Sequence, residues 1–217
     1  MDICKLYFVF YCCIKTLCDL HANDILEFSS RCMGTEFKIL IDHDSEENSA
    51  VAAKAAFEEA RRLNLIFSDY NAESELSQLS NSSYCNRDVK LSDELFEVLE
   101  FSKSLFFRTS GAFDPTLGQL SRLWRISRFQ KSLPTKNKIR RAMNRVGCQH
   151  LLLNKTQKKA TLLKPGIILD LGGIAKGYTA DRMMLLLKKR GFDRCLIDAG
   201  GDMTLGKRPR KRPGWNI

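Results

Sequence analysis

The sequence predicts an α+β fold, and three observations carry that prediction. Stretches of strict apolar–polar alternation and stretches of three- and four-residue apolar spacing both occur, so strands and helices are both present. They follow one another without the regular strand–helix–strand rhythm of a parallel sheet. The 217 residues are 44% hydrophobic and 28% charged, with only 5 Pro and 13 Gly. That is globular composition, which excludes disorder, collagen and low-complexity fibre as whole-chain readings. The length sits above one average domain and short of two.

The N-terminus carries an apolar run, Leu6 to Ile14, behind Lys5. It suits the apolar stretch of a signal peptide and falls short of the roughly 20 residues a spanning helix needs. With Ala22 as a possible cleavage position, residues 1–22 are expected to direct export to the periplasm and attachment to the inner membrane. A buried N-terminal segment, with the protein in the cytoplasm, is the alternative, since Asp2 and Lys15 weaken the pattern.

From Glu27 the chain alternates. Phe37, Ile39 and Ile41 face one way and Glu36, Lys38 and Leu40 the other, a half-buried strand. Met33-Gly34-Thr35 interrupts it, and a bulge at the glycine is the simplest explanation. Ser45-Glu46-Glu47 opens a helix with Ala53, Ala56, Phe57, Ala60, Leu63 and Phe67 on one stripe. A second helix starts at Ser92, buries Leu95, Leu99 and Phe106, and stops at Ser110-Gly111. Leu151–Leu153 and Ala160–Leu163 flank a polar stretch and read as a hairpin. A strand over 167–171 runs into Gly172-Gly173, then a helix to Arg190 closed by Gly191. A further strand over 195–199 meets Gly200-Gly201, and Trp215 and Ile217 alternate like the start of another.

Charge is uneven. Residues 1–100 hold 9 bases and 19 acids, and residues 101–217 hold 26 bases and 6 acids. The second half would attract anions: nucleic acid, anionic lipid or a phosphorylated small molecule. A nucleic-acid or membrane-surface binding module with its footprint at Lys207–Arg212 ranks last, because no aromatic residues interleave the basic ones. Five of the 8 cysteines lie in the first 32 residues, without a C-x-x-C pair or a histidine at zinc-ligand spacing. Neither a disulfide framework nor a structural metal site is expected.

Four segments carry candidate chemistry. Asp170-Leu-Gly-Gly-Ile-Ala-Lys176 is a carboxylate, a diglycine bend and a helix start bearing a lysine. Such a helix start suits a phosphate, although a tight capped turn explains it too. It fits neither the P-loop nor the dinucleotide fingerprint. Gly111-Ala112-Phe113-Asp114-Pro115 could wrap a planar ligand, while Asp114-Pro115 also reads as a helix cap with its first residue. Met33-Gly34-Thr35 is the third. In the fourth, Phe67-Ser-Asp-Tyr70, the tyrosine either stacks on an aromatic ligand or packs at a helix end.

Together with Ser74-Glu-Leu-Ser77, Leu123-Trp124 and Gly200-Gly-Asp202, these segments resemble the FAD:protein FMN transferase (ApbE) family, in the family's order from Glu27 to Ile217. The resemblance implies an ApbE-like mixed sheet with packed helices over 27–217, its C-terminal part missing. It implies an enzyme that uses magnesium to cleave FAD and moves FMN onto a Thr or Ser hydroxyl of a redox-protein subunit, releasing AMP. No nucleic acid is expected as a partner. Residue by residue, it implies Met33 and Tyr70 at the flavin, and Ala112, Phe113 and Asp114 at the adenosine. Asp170 and Lys176 become further FAD contacts, and Gly173 lends a backbone carbonyl to Mg²⁺. No catalytic residue is assigned. Family segments of the His-x-x-Asp-Pro and Asp-Ala-x-x-Thr types, which supply side-chain metal ligands, have no counterpart in these 217 residues. The chain is therefore expected to be a truncated form, inactive or nearly so by itself, and a flavin-binding remnant without catalysis is the alternative.

Overall fold

The computed structural model describes residues 25–217. The apolar run at Leu6–Ile14 and the cleavage position lie outside the described residues. Strands β1 (Ile25–Cys32) and β2 (Thr35–Asp42) form a hairpin, followed by helices α1 (Glu46–Phe67) and α2 (Glu75–Leu79). The short strand β3 (Val89–Lys90) precedes α3 (Asp93–Arg108), α4 (Gly118–Gln130) and α5 (Lys136–Met143). A second hairpin, β4 (Leu151–Asn154) and β5 (Lys159–Leu162), leads to α6 (Ala175–Lys189), β6 (Cys195–Ala199) and β7 (Met203–Leu205). Two antiparallel sheets result, one in the order β1-β2-β6-β7 and one in the order β3-β5-β4. The α+β prediction holds.

Alternation in β2 sends Phe37, Ile39 and Ile41 inward, opposite Ala199, Ile197 and Cys195 of β6. Against that face pack Ala52, Ala53, Ala56 and Ala60 of α1, and Ala180, Met183 and Leu187 of α6. Small alanines let α1 lie close to the sheet. Farther along α1, Leu63 and Phe67 enter a second core with Leu76, Leu95, Leu99, Leu151 and Leu162. Helix α6 makes the same transition, because its first residue, Ala175, belongs to the second core. Met33 touches both cores. The hydroxyls of Ser45, Ser74, Ser92 and Thr135 cap α1, α2, α3 and α5. Each such cap is worth ~1 kcal/mol. Arg62 of α1 binds Glu59 at 2.8 Å and Glu94 of α3 at 2.7 Å, joining the two helices at the surface.

Several expectations are corrected. Met33-Gly34 is a two-residue hairpin turn and not a bulge, since Met33 (φ 49°) and Gly34 (φ 77°) both take the left-handed conformation. That pair of angles matches the twist of the flanking strands. Phe106 is half-buried, with its ring edge-on to Phe107 at 5.3 Å. Asp114-Pro115 does not open a helix. Asp114 Oδ1 accepts from the Thr116 amide at 2.8 Å and the Thr116 hydroxyl at 2.6 Å, and α4 begins only at Gly118. Residues 167–171 form no strand beyond one parallel bridge between Leu117 and Ile168. Their backbone bonds go to loop and side-chain partners: Gly118 donates to Ile168, Asp170 donates to Pro115, and Leu169 donates to Ser80 Oγ. Trp215 starts no strand, its indole donating to the Lys207 carbonyl at 3.1 Å.

The basic tail is folded down. Arg210 binds the buried Asp42 through its amide and its guanidinium, the latter at 2.9 Å, and also reaches Asp44 at 2.7 Å. Lys207 pairs with Asp193 at 2.5 Å. Among the described residues no helix is long and apolar enough to cross a membrane.

Ile39 is fully buried at the centre of the first core, so Ile39→Ala is expected to cost about 2–5 kcal/mol. Half-buried Leu40→Ala beside it should cost less than about 1 kcal/mol. Urea titration of the two variants measures the difference.

Candidate functional site

Where the two cores meet, three loops converge. The β1–β2 turn brings Met33 and Gly34, the end of α1 brings Phe67 to Tyr70, and the diglycine bend brings Gly172, Ala175 and Lys176. With Asn64 and Arg125 they line a cleft of about 560 Å³. Met33 is held in its wall by the Thr179 hydroxyl, 3.6 Å from its sulfur.

The diglycine bend is built locally. Asp170 Oδ1 accepts from the Gly172 amide at 2.8 Å, and the Leu171 carbonyl takes the amides of Ile174 and Ala175. The amides of Lys176 and Gly177, in the first turn of α6, have no acceptor among the described residues. Helix α6 has no side-chain N-cap and no acid in its first turn. It carries Lys176 there instead, a cation at the positive end of a helix, which is unfavourable without a compensating anion. Asp202 of the second diglycine turn compensates, 2.8 Å from Lys176 Nζ. The result is a helix start with unsatisfied donors and a half-buried ammonium, the chemistry that holds a phosphate or diphosphate.

Arg125 of α4 ties this bend to the end of α1. One guanidinium nitrogen sits 2.5 Å from Asp69 and the other 3.1 Å from Asp170. Burial opposes the charge on Arg125, but the hydrogen bond it donates to Asp69 and the charges of Asp69 and Asp170 outweigh it and raise its pKa further. The same guanidinium lies over the Tyr70 ring, 4.2 Å from its centroid. Tyr70 is nevertheless 77% exposed, which leaves the opposite face of the ring open for a planar group. Arg122, one turn earlier, donates to the Asp69 carbonyl at 2.7 Å.

Of the eight positions singled out from the sequence, Met33, Tyr70 and Lys176 line this cleft. Asp170 joins it through Arg125. Gly173 opens instead onto a neighbouring cleft of about 670 Å³. A Cβ at Gly173 would stand 3.4 Å from the Phe113 ring, so Phe113 belongs to the same corner. Ala112 is exposed, and Asp114 is spent on Thr116. Among the described residues no group of three or more His, Cys, Asp or Glu side chains is placed to hold a metal ion. Gly173 offers one backbone oxygen, which does not make a magnesium site, since that ion takes carboxylates, phosphates and water in an octahedron.

Asp69, Arg122 and Arg125 escaped the sequence reading. The signal was available in part, because Leu123-Trp124 drew attention to α4 while the arginines on either side of that pair carry the contacts.

This fold is the fold of flavin transferases. The solved structure of the Vibrio cholerae flavin transferase ApbE superposes with a TM-score of 0.80 at 23% identity, covering 89% of this chain and 62% of that one. The ApbE protein of Thermotoga maritima gives 0.76 at 25% identity, covering 87% and 60%. Residues 33–217 match the ApbE family, and the chain belongs to it. A FAD:protein FMN transferase of Klebsiella pneumoniae is 29% identical over 187 residues, covering 85% of this chain and 57% of that relative. One from Haemophilus influenzae is 27% identical over 200 residues, covering 89% and 58%. The chain thus spans less than three-fifths of the length of these relatives.

Arg125→Met would leave Asp69 and Asp170 without their cation. A fully buried pair broken this way costs about 3–5 kcal/mol, and the partial exposure of Arg125 brings the expected loss to about 2 kcal/mol. Adding Asp69→Asn should recover part of it, as thermal or urea unfolding of the single and double variants will show.

Proposed function

We propose that this chain serves in the transfer of FMN from FAD to a Thr or Ser hydroxyl of a redox-protein subunit, with release of AMP. The observation that carries the reading is the meeting of Lys176 and the uncapped start of α6 with Met33 and Tyr70 in one cleft. A flavin nucleotide has two parts that this cleft answers separately. Its diphosphate bears negative charge, which Lys176 and the amides of the first turn of α6 can neutralise once Lys176 turns away from Asp202. Its ring system is flat and polarisable, which suits the open face of Tyr70 and the Met33 thioether. Transfer out of a diphosphate calls mainly for charge neutralisation and alignment of the attacking oxygen. The relatives named FAD:protein FMN transferase support the same reading.

Magnesium enters this proposal through the family resemblance alone. Export to the periplasm with attachment to the inner membrane belongs to it too, and rests on the apolar run at Leu6–Ile14.

Titrating FAD into the purified polypeptide and following flavin fluorescence tests the reading. Saturable quenching is expected, weakened about tenfold or more in Lys176→Ala for the loss of one charge-assisted contact. Unchanged affinity in that variant would overturn it. AMP released in the presence of an acceptor subunit would separate transfer from binding alone.

A further inference from the structure

A third cleft backs onto the flavin cleft. It has a volume of about 750 Å³ and shares with the flavin cleft the wall formed by Asp69, Tyr70 and Arg125. On its far side are Arg122, Arg145 and the amide side chains of Gln78, Asn81 and Gln119. The charges do not cancel. Asp69 is the one carboxylate among the lining residues, and it is committed to Arg125 at 2.5 Å. Arg122 spends a single donor on a neutral carbonyl, that of Asp69. Arg145 has no hydrogen-bond or ion-pair partner for its guanidinium among the described residues. Its place is nonetheless defined, because the missing side chain of Gly166 lets the Arg145 side chain lie against the backbone. A Cβ at Gly166 would come within 3.2 Å of Arg145 Cδ and Nε. The Gly166 carbonyl is in turn fixed by Gln119 Nε2 at 2.9 Å.

Two guanidinium groups with donors to spare and three side-chain amides around one cleft are the fittings of an oxyanion receptor. Arg forks match the two oxygens of a carboxylate or phosphate, and amide side chains orient them. We propose that this cleft is a second anion subsite, which takes a phosphate- or carboxylate-bearing group and is separate from the diphosphate bend at 172–176. The assignment does not depend on the flavin reading, since none of its polar groups beyond the shared wall lies in the flavin cleft. Its position across the Tyr70–Arg125 wall means that an anionic group bound there would sit beside whatever occupies the flavin cleft.

Inorganic phosphate and succinate serve as probes, each titrated by calorimetry into the 217-residue chain and into Arg145→Gln, with Arg122→Gln as a second variant. Both positions are outside the flavin cleft, and Arg145 is exposed, so the fold should tolerate the change. Binding of at least one probe is expected, weakened about tenfold or more in Arg145→Gln, while FAD affinity measured in parallel stays unchanged. The probe that binds more tightly identifies phosphate or carboxylate as the group recognised. Three results would overturn the subsite: no binding of either probe at millimolar concentration, binding indifferent to both substitutions, or an equal loss of FAD and probe affinity in Arg145→Gln. A failed flavin reading would look different, as absent FAD binding with the Arg145-dependent probe binding intact.

Discussion

One guanidinium organises the site. Arg125 stands between Asp69, just past the end of α1, and Asp170, at the mouth of the diglycine bend. These two loops belong to segments whose helices, α1 and α6, both run from one core into the other. The cleft therefore lies on a seam that the cores keep from closing, and Arg125 sets how its two lips meet. Both carboxylates are largely removed from water, so each needs a cation to be tolerated. The same guanidinium covers one face of Tyr70 and leaves the other bare. A single side chain thus fixes the separation of the lips and the orientation of the exposed Tyr70 ring beside them.

The start of α6 is the complementary feature. Most helices in the structure begin on a serine or threonine that satisfies their first amides. Helix α6 begins on Ile174, with a lysine in the first turn and no acid. Local energetics disfavour that arrangement, and stability alone gives no reason for it. It becomes reasonable when an anion completes the helix start. Asp202 does so in the structure as it stands, from a second diglycine turn whose Gly201 amide is held by Asp198 at 2.7 Å. A diphosphate offers the same complement with more charge.

Much of this was legible in the sequence, for definite reasons. Helix α1 announced itself through Ser45 and the stripe from Ala53 to Phe67, and β2 through the alternation at Phe37, Ile39 and Ile41. Both signals record burial, and both segments have the partners that burial implied. Residues 167–171 show the limit of that inference. Ile167, Leu169 and Leu171 are fully buried and alternate with more exposed neighbours, yet the backbone between them pairs with loops. Alternation reports which side chains face inward and says nothing about who receives the amides. Helix α4 failed for the opposite reason. It buries only Gly118 and Ser127, so it has no apolar stripe to detect. The Arg125 clamp was beyond reach because its partners are 56 and 45 residues away in sequence. The diglycine bend and Lys176 could be found because their chemistry is local, whereas Ala112 and Asp114 sat in a loop whose turn chemistry accounts for Asp114.

The central claim is that a flavin nucleotide lies along this seam with its diphosphate on the start of α6. A crystal structure of the chain grown with FAD tests it most directly. The diphosphate should lie about 3 Å from Lys176 Nζ and the Gly177 amide, with Lys176 drawn off Asp202 and the ring system on the face of Tyr70 away from Arg125. FAD seated elsewhere, with the Lys176–Asp202 pair undisturbed, would contradict it.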